Sequence, residues 1–520
     1  MLKRRLKFVG KVLLALVALF VVFLLVERFR GQIALASYQK ELVAKGEKLS
    51  PQDFALPALD ADNGAPEAIK AIESLTNGTV LPYSYPPRMK LMASGRALVG
   101  FRESEWIEAG SFRDGEWVDE KITNRWDQLA ADLKANAATL ARIRAALEKP
   151  TLNNRVDLSE GAKMKFSHLA PAKSLTFWLG SGSQLALHEG RNKDALEWLL
   201  PQIGLPRLLA EDRTIIGELV RIAISAIARV DTWEALQASG WTDEDLLSLQ
   251  RAWEIQRFAP EMARSFETER VVSAGWYDAM RASNEEAYNG LFRWKEAPFD
   301  SYDPETKRWV APELTLQQKA KRFWERHIHS RLWRFVWSHQ AELHGLRAIQ
   351  SLTETGRQAA TNKSNLFVEQ SIKQWTNDYY SAGFYDRIRQ LDHNIKAMPR
   401  SVTKAMRGKT DRALTITAIA LKRHFLRHKE YPAALDSLVP EFLRAIPTDY
   451  MDGKAIKYRR TDATNFLLYS VGEDGRDDGG DLTLPAGSKS KDLWRRRDCV
   501  WPAPATPEEV EECRREAIKN

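Results

Sequence analysis

The most uniform hydrophobic stretch of the chain lies near its N-terminus. Residues 12–26 are fifteen consecutive side chains without a polar group, and extending the stretch back to Phe8 gives nineteen residues. As a helix, nineteen residues span about 28 Å, close to the ~30 Å hydrocarbon core of a bilayer, and Lys11 can reach the headgroups. The pattern therefore predicts a transmembrane helix, which we assign to residues 12–30.

The charges around this helix predict its orientation. Five Lys or Arg side chains precede the apolar run, whereas only Arg28 and Arg30 flank Glu27 after it. The positive-inside rule then places residues 1–11 in the cytoplasm and the rest of the chain across the membrane. A cleaved signal peptide is the alternative, because residues 34–36 read Ala-Leu-Ala, which fits a cleavage site.

The body that follows, residues 31–404, is dominated by apolar positions at three- and four-residue spacing, which is typical of amphipathic helices. No fixed repeat period is present, so we predict a helical bundle or an array of helical hairpins. A proline-rich break is expected near residues 292–314. The predicted helices cover residues 126–147, 175–189, 193–200, 214–238, 243–257, 316–353 and 365–397.

A stretch of basic and aromatic residues between positions 321 and 337 is a candidate interaction surface. It could stack on nucleic-acid bases or lie at a membrane interface. The alternative is that the tryptophans at spacing i, i+4 pack inward while the arginines are solvated. The candidate residues are Arg322, Trp324, Trp333, Arg334 and Trp337.

Charge, cysteine count and mean hydropathy exclude several classes of protein. Residues 1–30 carry a net charge of +6 out of +8 for all 520 residues, so the body is nearly neutral and nucleic-acid binding is not expected. Two cysteines exclude a disulfide scaffold, and a mean hydropathy of −0.42 excludes a polytopic membrane protein. The histidines at 327, 329, 339 and 344 lack the three- or four-residue spacing of helical metal ligands.

Catalytic signatures are incomplete in this sequence. Ser401 and Lys404 match S-x-x-K, but neither S-D-N nor K-T-G follows, and the Gly408-Lys409-Thr410 triplet lacks the first glycine of a P-loop. We therefore predict no catalytic residues. A hydrolase with a site assembled in the helical body remains the alternative.

Residues 405–487 depart from the purely helical pattern of the body. An apolar helix at 413–428 leads to Tyr431-Pro432, and Asp452-Gly453 forms a turn signal before two short strand patterns at 455–459 and 465–471. Residues 472–481, which we call the acidic loop, close this unit with glycines and aspartates.

This order resembles the C-terminal part of the major, G-type pseudopilins of type II secretion systems. The whole layout is similar to membrane-anchored bacterial proteins of unknown function in which a helical body precedes such a module. The resemblance implies a small α+β module, a calcium-binding loop, and a bacterial inner-membrane protein with a periplasmic body. Two departures are Tyr450-Met451, where an Asp-Pro turn is usual, and the lack of a prepilin leader, since Lys11 follows Gly10.

The acidic loop offers four carboxylates within eight residues, Asp474, Asp477, Asp478 and Asp481. Calcium takes six to eight oxygen ligands, so these aspartates and nearby carbonyls predict a calcium site. Arg476 stands at a ligand position of an EF-hand, so the loop is not of that type. A solvated acidic turn without metal is the alternative.

The remaining segment, residues 488–520, is predicted as a charged tail with a short helix. Its two cysteines, Cys499 and Cys513, could pair in an oxidising compartment.

Taken together, these patterns predict a mainly α protein with an N-terminal transmembrane helix, a helical body and a small pseudopilin-like α+β module. The expected function is that of a membrane-anchored periplasmic interaction or scaffolding protein, associated with a type II secretion-like system. We expect the membrane and an envelope protein as its partners.

Overall fold

The computed structural model describes residues 2–54, 62–113, 116–292, 301–303, 308–310, 314–380, 398–484 and 493–519. The described part is mainly helical, with one long apolar helix at the N-terminus and a few small strands. The predicted fold class is confirmed at this level. Most of the predicted break at 292–314, and residues 381–397 of the last helix predicted in the body, lie outside the described residues.

The elements are labelled in chain order. The helices are α1 (Leu2–Ala44), α2 (Ala65–Glu73), α3 (Trp126–Ala135), α4 (Ala137–Leu147), α5 (Leu169–His188), α6 (Asn192–Gly204), α7 (Ile215–Leu236), α8 (Asp243–Glu254), α9 (Ala259–Ala282), α10 (Asn284–Phe292), α11 (Leu316–Trp324), α12 (Ser330–Leu332), α13 (Ser338–Asn362), α14 (Asn365–Tyr380), α15 (Pro399–His428) and α16 (Pro507–Lys519). The strands are β1 (Leu91–Ala93), β2 (Arg96–Ala97), β3 (Glu105–Arg113), β4 (Glu116–Arg125), β5 (Ser301–Asp303), β6 (Arg308–Val310), β7 (Lys457–Arg460), β8 (Phe466–Ser470), β9 (Cys499–Val500) and β10 (Ala503–Pro504).

The N-terminal helix α1 is much longer than a membrane is thick. Its 43 residues span about 65 Å, roughly twice the hydrocarbon core. Side chains from Lys7 to Phe23 are exposed, and packing against the body begins at Leu24. We call residues 24–44, the packed half of α1, the stalk. The helix therefore passes from the apolar run into the folded body without a break.

The central helices follow the apolar pattern. The helices predicted within residues 175–257 are present as α5 to α8, with ends shifted by a few residues. Thr242 caps α8 by accepting a hydrogen bond from the Asp245 backbone N–H, and Gly240 before it has a φ of +88°. The predicted single helix at 126–147 is wrong, because it breaks at Asn136. The Asn136 side chain accepts from the Thr76 backbone N–H at 2.8 Å and so ties the break to a distant loop.

Helices α9 and α13 run antiparallel, and the stalk packs on α13. Tyr277 contacts Ala341, Arg270 contacts Gln350, and Ala263 lies against Gly356, so the numbers rise in α13 as they fall in α9. A continuous helical run joins α11 to α13, with π-helical turns at Glu325–His329 and Trp333–Trp337.

The C-terminal region shares a helix and strand pairing with the body. The predicted domain boundary at residue 404 falls within α15. Strands β7, β8 and β9 form one antiparallel sheet, and β9 comes from the segment predicted as a tail. Strand β10 pairs in parallel with β2, near residue 96 of the body. The hairpin of β3 and β4 was also not predicted.

Asp132 holds a buried loop by accepting backbone hydrogen bonds from Thr79, Val80 and Leu81 at 2.7–2.9 Å. We expect Asp132→Ala to lower the free energy of unfolding by about 3 kcal/mol, because three amide groups lose their acceptor. Thermal unfolding in detergent measures this change. The exposed Asp127→Ala on the same helix is the control, and equal melting temperatures for the two variants would contradict the role of Asp132.

Candidate functional site: the stalk and its partners

The stalk docks on α13 through apolar side chains at helical spacing. Leu35 and Leu42 of the stalk form one buried cluster with Leu343 and Leu346. A Cβ at Gly31 would come within 2.7 Å of the Gln340 Cγ, so glycine allows the two helices to approach closely at this point. The stalk is therefore part of the folded core.

The end of the stalk next to the apolar run is held by polar contacts. Gln340 donates through Nε2 to the Glu27 carbonyl at 2.8 Å and to its carboxylate at 3.0 Å. Arg28 donates to the Phe335 carbonyl at 2.8 Å, and its guanidinium lies 4.3 Å from the centre of the Phe335 ring. The charged residues that end the apolar run thus bind the body.

The opposite end is held by a cluster of charges around Glu47, which follows the stalk. The Glu47 carboxylate accepts from Arg270 at 2.7 Å, from Arg357 at 2.6 and 3.0 Å, and from Gln350 at 3.0 Å. The Arg270 side chain is fully buried and that of Glu47 is 8% exposed. Hydrogen bonding from Arg357, then from Gln350 and Arg270, lowers the pKa of Glu47 to about 2 despite its burial.

The predicted basic and aromatic surface is divided between core and solvent. Trp333 and Trp337 are buried, as the packing alternative predicted, while Trp324 is exposed. Arg334 donates to the carbonyls of residues 281 and 282 at the end of α9. Arg322 is half-buried. The residues of the predicted surface therefore do not form a single face.

The acidic loop is tied together by hydrogen bonds. Asp477 accepts from the Tyr469 hydroxyl at 2.9 Å, and Asp474 accepts from the Arg476 backbone N–H at 3.1 Å. The Arg497 guanidinium lies 3.5 Å from Asp478 and 3.6 Å from Asp481. No group of three or more acidic, His or Cys side chains placed to hold a metal occurs in the described ranges, so calcium binding stays a prediction.

Two aspartates that the sequence analysis did not identify accept hydrogen bonds from residues in and beside the acidic loop. Asp449 accepts from the Ser470 hydroxyl and from the Met451 and Val471 backbone N–H groups, at 2.9–3.0 Å. Asp498 accepts from the Gly480 backbone N–H at 2.7 Å. The only sequence signal for either was the turn pattern around Asp452-Gly453.

The two cysteines lie in different elements. Cys499 is buried in β9, whereas Cys513 is half-buried on α16, and no disulfide joins them in this structure. Their pairing under oxidising conditions stays a prediction.

The hydrolase alternative needs a nucleophile beside a base in a cleft. An open cleft of about 700 Å³ lies between α8, α15 and residues 443–450, and the hydroxyls among its described lining residues belong to Thr448 and Tyr450. A buried pair joins His168 to Asp212 at 2.7 Å. No hydroxyl or thiol is hydrogen-bonded to His168 within the residues that the structure describes.

We expect Glu47→Gln to destabilise the docked stalk by about 2–4 kcal/mol at pH 7, because the buried Arg270 loses its counter-charge. Folding lowers the pKa of Glu47 from 4.5 to about 2. The stabilisation is therefore complete above pH 4.5 and is lost as the pH falls towards 2. Melting temperatures from pH 7 to pH 3 should show a difference from the unsubstituted protein that shrinks with acidification.

The matched control for this substitution is Glu41→Gln, which removes an exposed i, i+4 pair with Lys45 at the C-terminal end of α1. Such surface pairs contribute little, so its melting temperature should stay within about a degree of the unsubstituted protein. An equal effect of both substitutions would show that Glu47 has no special role in docking.

Comparison with family models, with curated proteins and with solved structures finds no match for this chain. The described residues contain one helix, α1, that is long and apolar enough to cross a membrane by length and composition. The packing of α1 on α13 is accordingly the feature from which a function can be argued.

Proposed function

We propose that the chain is an inner-membrane-anchored scaffold that presents its body on the periplasmic side through an uncleaved, rigid N-terminal helix. The observation that carries this proposal is the continuity of α1. The same helix contains the exposed apolar run and the packed leucines of the stalk. A flexible tether would leave the orientation of the body free, whereas a helix that belongs to both parts fixes it.

The packing of the stalk favours an anchor over a cleaved signal. The Ala-Leu-Ala site at residues 34–36 lies within α1, and the Leu35 side chain is buried against α13. Cleavage there would remove the contacts of Glu27 and Arg28 and would require access to a packed helix. The folded protein therefore gains stability from the segment that a signal peptidase would remove.

The register between helices supports the outward presentation of the C-terminal module. Arg28 contacts Phe335 and Glu47 contacts Arg357, so α13 leads away from the membrane in the same direction as the stalk. The first half of α15 packs near Phe258 and Leu352, at the far end of α9 and α13. The module of α15 and the β7–β8–β9 sheet is thus placed to meet a partner away from the bilayer.

The proposed partner is a protein of the envelope, first of all a pseudopilin or another subunit of a type II secretion-like system. What supports this choice is the order of α15, Tyr431-Pro432 and a small antiparallel sheet beside the acidic loop. Tyr458 donates from its hydroxyl to the Pro432 carbonyl at 2.7 Å and so joins the sheet to the turn after α15. Calcium at the acidic loop belongs to the same proposal.

The anchor is tested by Ala36→Arg, which changes an exposed position and disrupts the cleavage site. We expect unchanged electrophoretic mobility and unchanged retention in alkali-washed membranes. We also expect an intact mass that includes residues 1–36 in both proteins. A lower mass for the unsubstituted protein, together with the full-length mass for Ala36→Arg, would contradict an uncleaved anchor.

The partner is tested by placing a photo-crosslinking amino acid at Lys454, an exposed position of the C-terminal module, in living cells. We expect crosslinks to secretion subunits at this position and none at the exposed stalk position Lys40. Equal yields of the same proteins at both positions, or crosslinks only between copies of the chain, would contradict the proposal.

A further inference from the structure

A second hydrophobic surface lies beside the membrane anchor. In residues 316–335, which we call the interfacial segment, several large apolar side chains face solvent. Leu316 is 86% exposed, Phe323 63% and Trp324 55%. Ile328 follows four residues after Trp324, so these side chains occupy one broad side of the helix. Isolated exposed apolar residues are common, but a run of this kind beside a membrane helix indicates a contact.

The same segment is strongly basic. It contains six Lys or Arg side chains against one acidic residue, Glu325. Arg326 pairs with Glu285 of α10 at 2.8 Å, and Lys321 lies 3.9 Å from Glu325. Lys319 and Arg331 form no ion pair within the described part of the chain and are exposed. Apolar side chains mixed with bases are typical of helices that lie in the headgroup region of a bilayer.

The register of the stalk directs this segment towards the membrane. Along α1 and α13, Arg28 meets Phe335, Tyr38 meets Arg347 and Glu47 meets Arg357, so the two helices run in parallel. The helical run of residues 316–362 is continuous. Residues before Phe335 therefore extend towards the same end of the molecule as residues before Arg28, which is the membrane-spanning end.

The contact between Arg28 and Phe335 marks the level of the bilayer surface. Arg28 is separated from the apolar run only by Glu27, so it lies where the hydrocarbon core ends. Phe335 is half-exposed beside it. The bases that precede Phe335 keep the segment out of the hydrocarbon and in the headgroup layer, because a charged side chain at the bilayer centre is costly.

We propose that the interfacial segment lies on the bilayer and binds anionic phospholipid headgroups, with Phe323 and Trp324 inserted at the acyl boundary. This inference rests on the proposed anchoring by α1 and adds a second membrane contact to it. The second contact fixes the tilt and rotation of α1 in the bilayer, which a single membrane helix leaves free, and the rigid stalk passes that orientation to the body.

The test uses the full-length protein with Cys513→Ser and one introduced cysteine that carries a fluorescent label. The protein is reconstituted in vesicles of phosphatidylcholine and phosphatidylglycerol, with a quencher attached near the lipid headgroup. With Phe323→Cys, we expect the quencher lipid to lower the fluorescence about twofold. The matched control is Ile255→Cys, an equally exposed apolar position beyond the far end of α9, where no quenching is expected.

The ligand chemistry is tested by lipid composition and charge. Quenching at position 323 should weaken in phosphatidylcholine alone and in about 1 M salt, where the Debye length is about 3 Å. The double variant Lys319→Glu with Arg331→Glu should weaken the quenching as much as high salt does. The control double variant Arg251→Glu with Arg444→Glu, in the open cleft beside α8, should leave the quenching unchanged. Quenching that is independent of anionic lipid and of these charges would overturn the assignment of anionic headgroups.

A label at Leu14→Cys separates this inference from the anchor itself. Quenching at position 14 without quenching at position 323 would overturn the inference and leave the anchor intact. In that case the interfacial segment would be free for a protein partner, and a water-soluble quencher would reach position 323 in vesicles as readily as in detergent. No quenching at either position would contradict the anchor.

Discussion

The packing of the stalk on α13 is the interaction on which the arrangement of the molecule depends. Burial of Leu35 and Leu42 contributes about 2 kcal/mol each, and the charge cluster around Glu47 closes the far end. Because the same helix contains the apolar run that we propose as the membrane anchor, every residue that holds the stalk would also set the position of the body relative to the bilayer. A local packing contact thereby becomes a constraint on the whole molecule.

The charges at the two ends of the stalk have different surroundings. Glu47 and Arg270 are buried and paired, so the loss of Glu47 leaves the Arg270 charge uncompensated in the core. Glu27 and Arg28 stand where the apolar run ends, and their contacts with Gln340 and Phe335 join that end of the run to the body. In the proposed arrangement, the exposed bases and aromatics of the interfacial segment would lie at the bilayer surface beside these contacts.

The sequence predicted those elements that depend only on residues close together in the chain. The apolar run of α1, the helices α5 to α8 and the Thr242 cap follow from spacing and capping chemistry. The break at Asn136 and the pairing of β10 with β2 depend on contacts with residues far away in the chain, so no window of sequence could indicate them. Glu47 is one acidic residue among many until folding brings Arg270 and Arg357 to it. The buried Trp333 and the exposed Trp324 also differ only through tertiary packing.

The most direct test of a rigid, membrane-continuous stalk is a distance distribution between spin labels in lipid nanodiscs. One label replaces Lys11, just before the apolar run of α1, and the other replaces Glu286, an exposed residue of α10, in a Cys513→Ser background. A single narrow distribution, which broadens in Glu47→Gln, is the result expected of a helix that belongs to both membrane and body. A broad distribution in the unsubstituted protein would show a flexible tether and contradict this account.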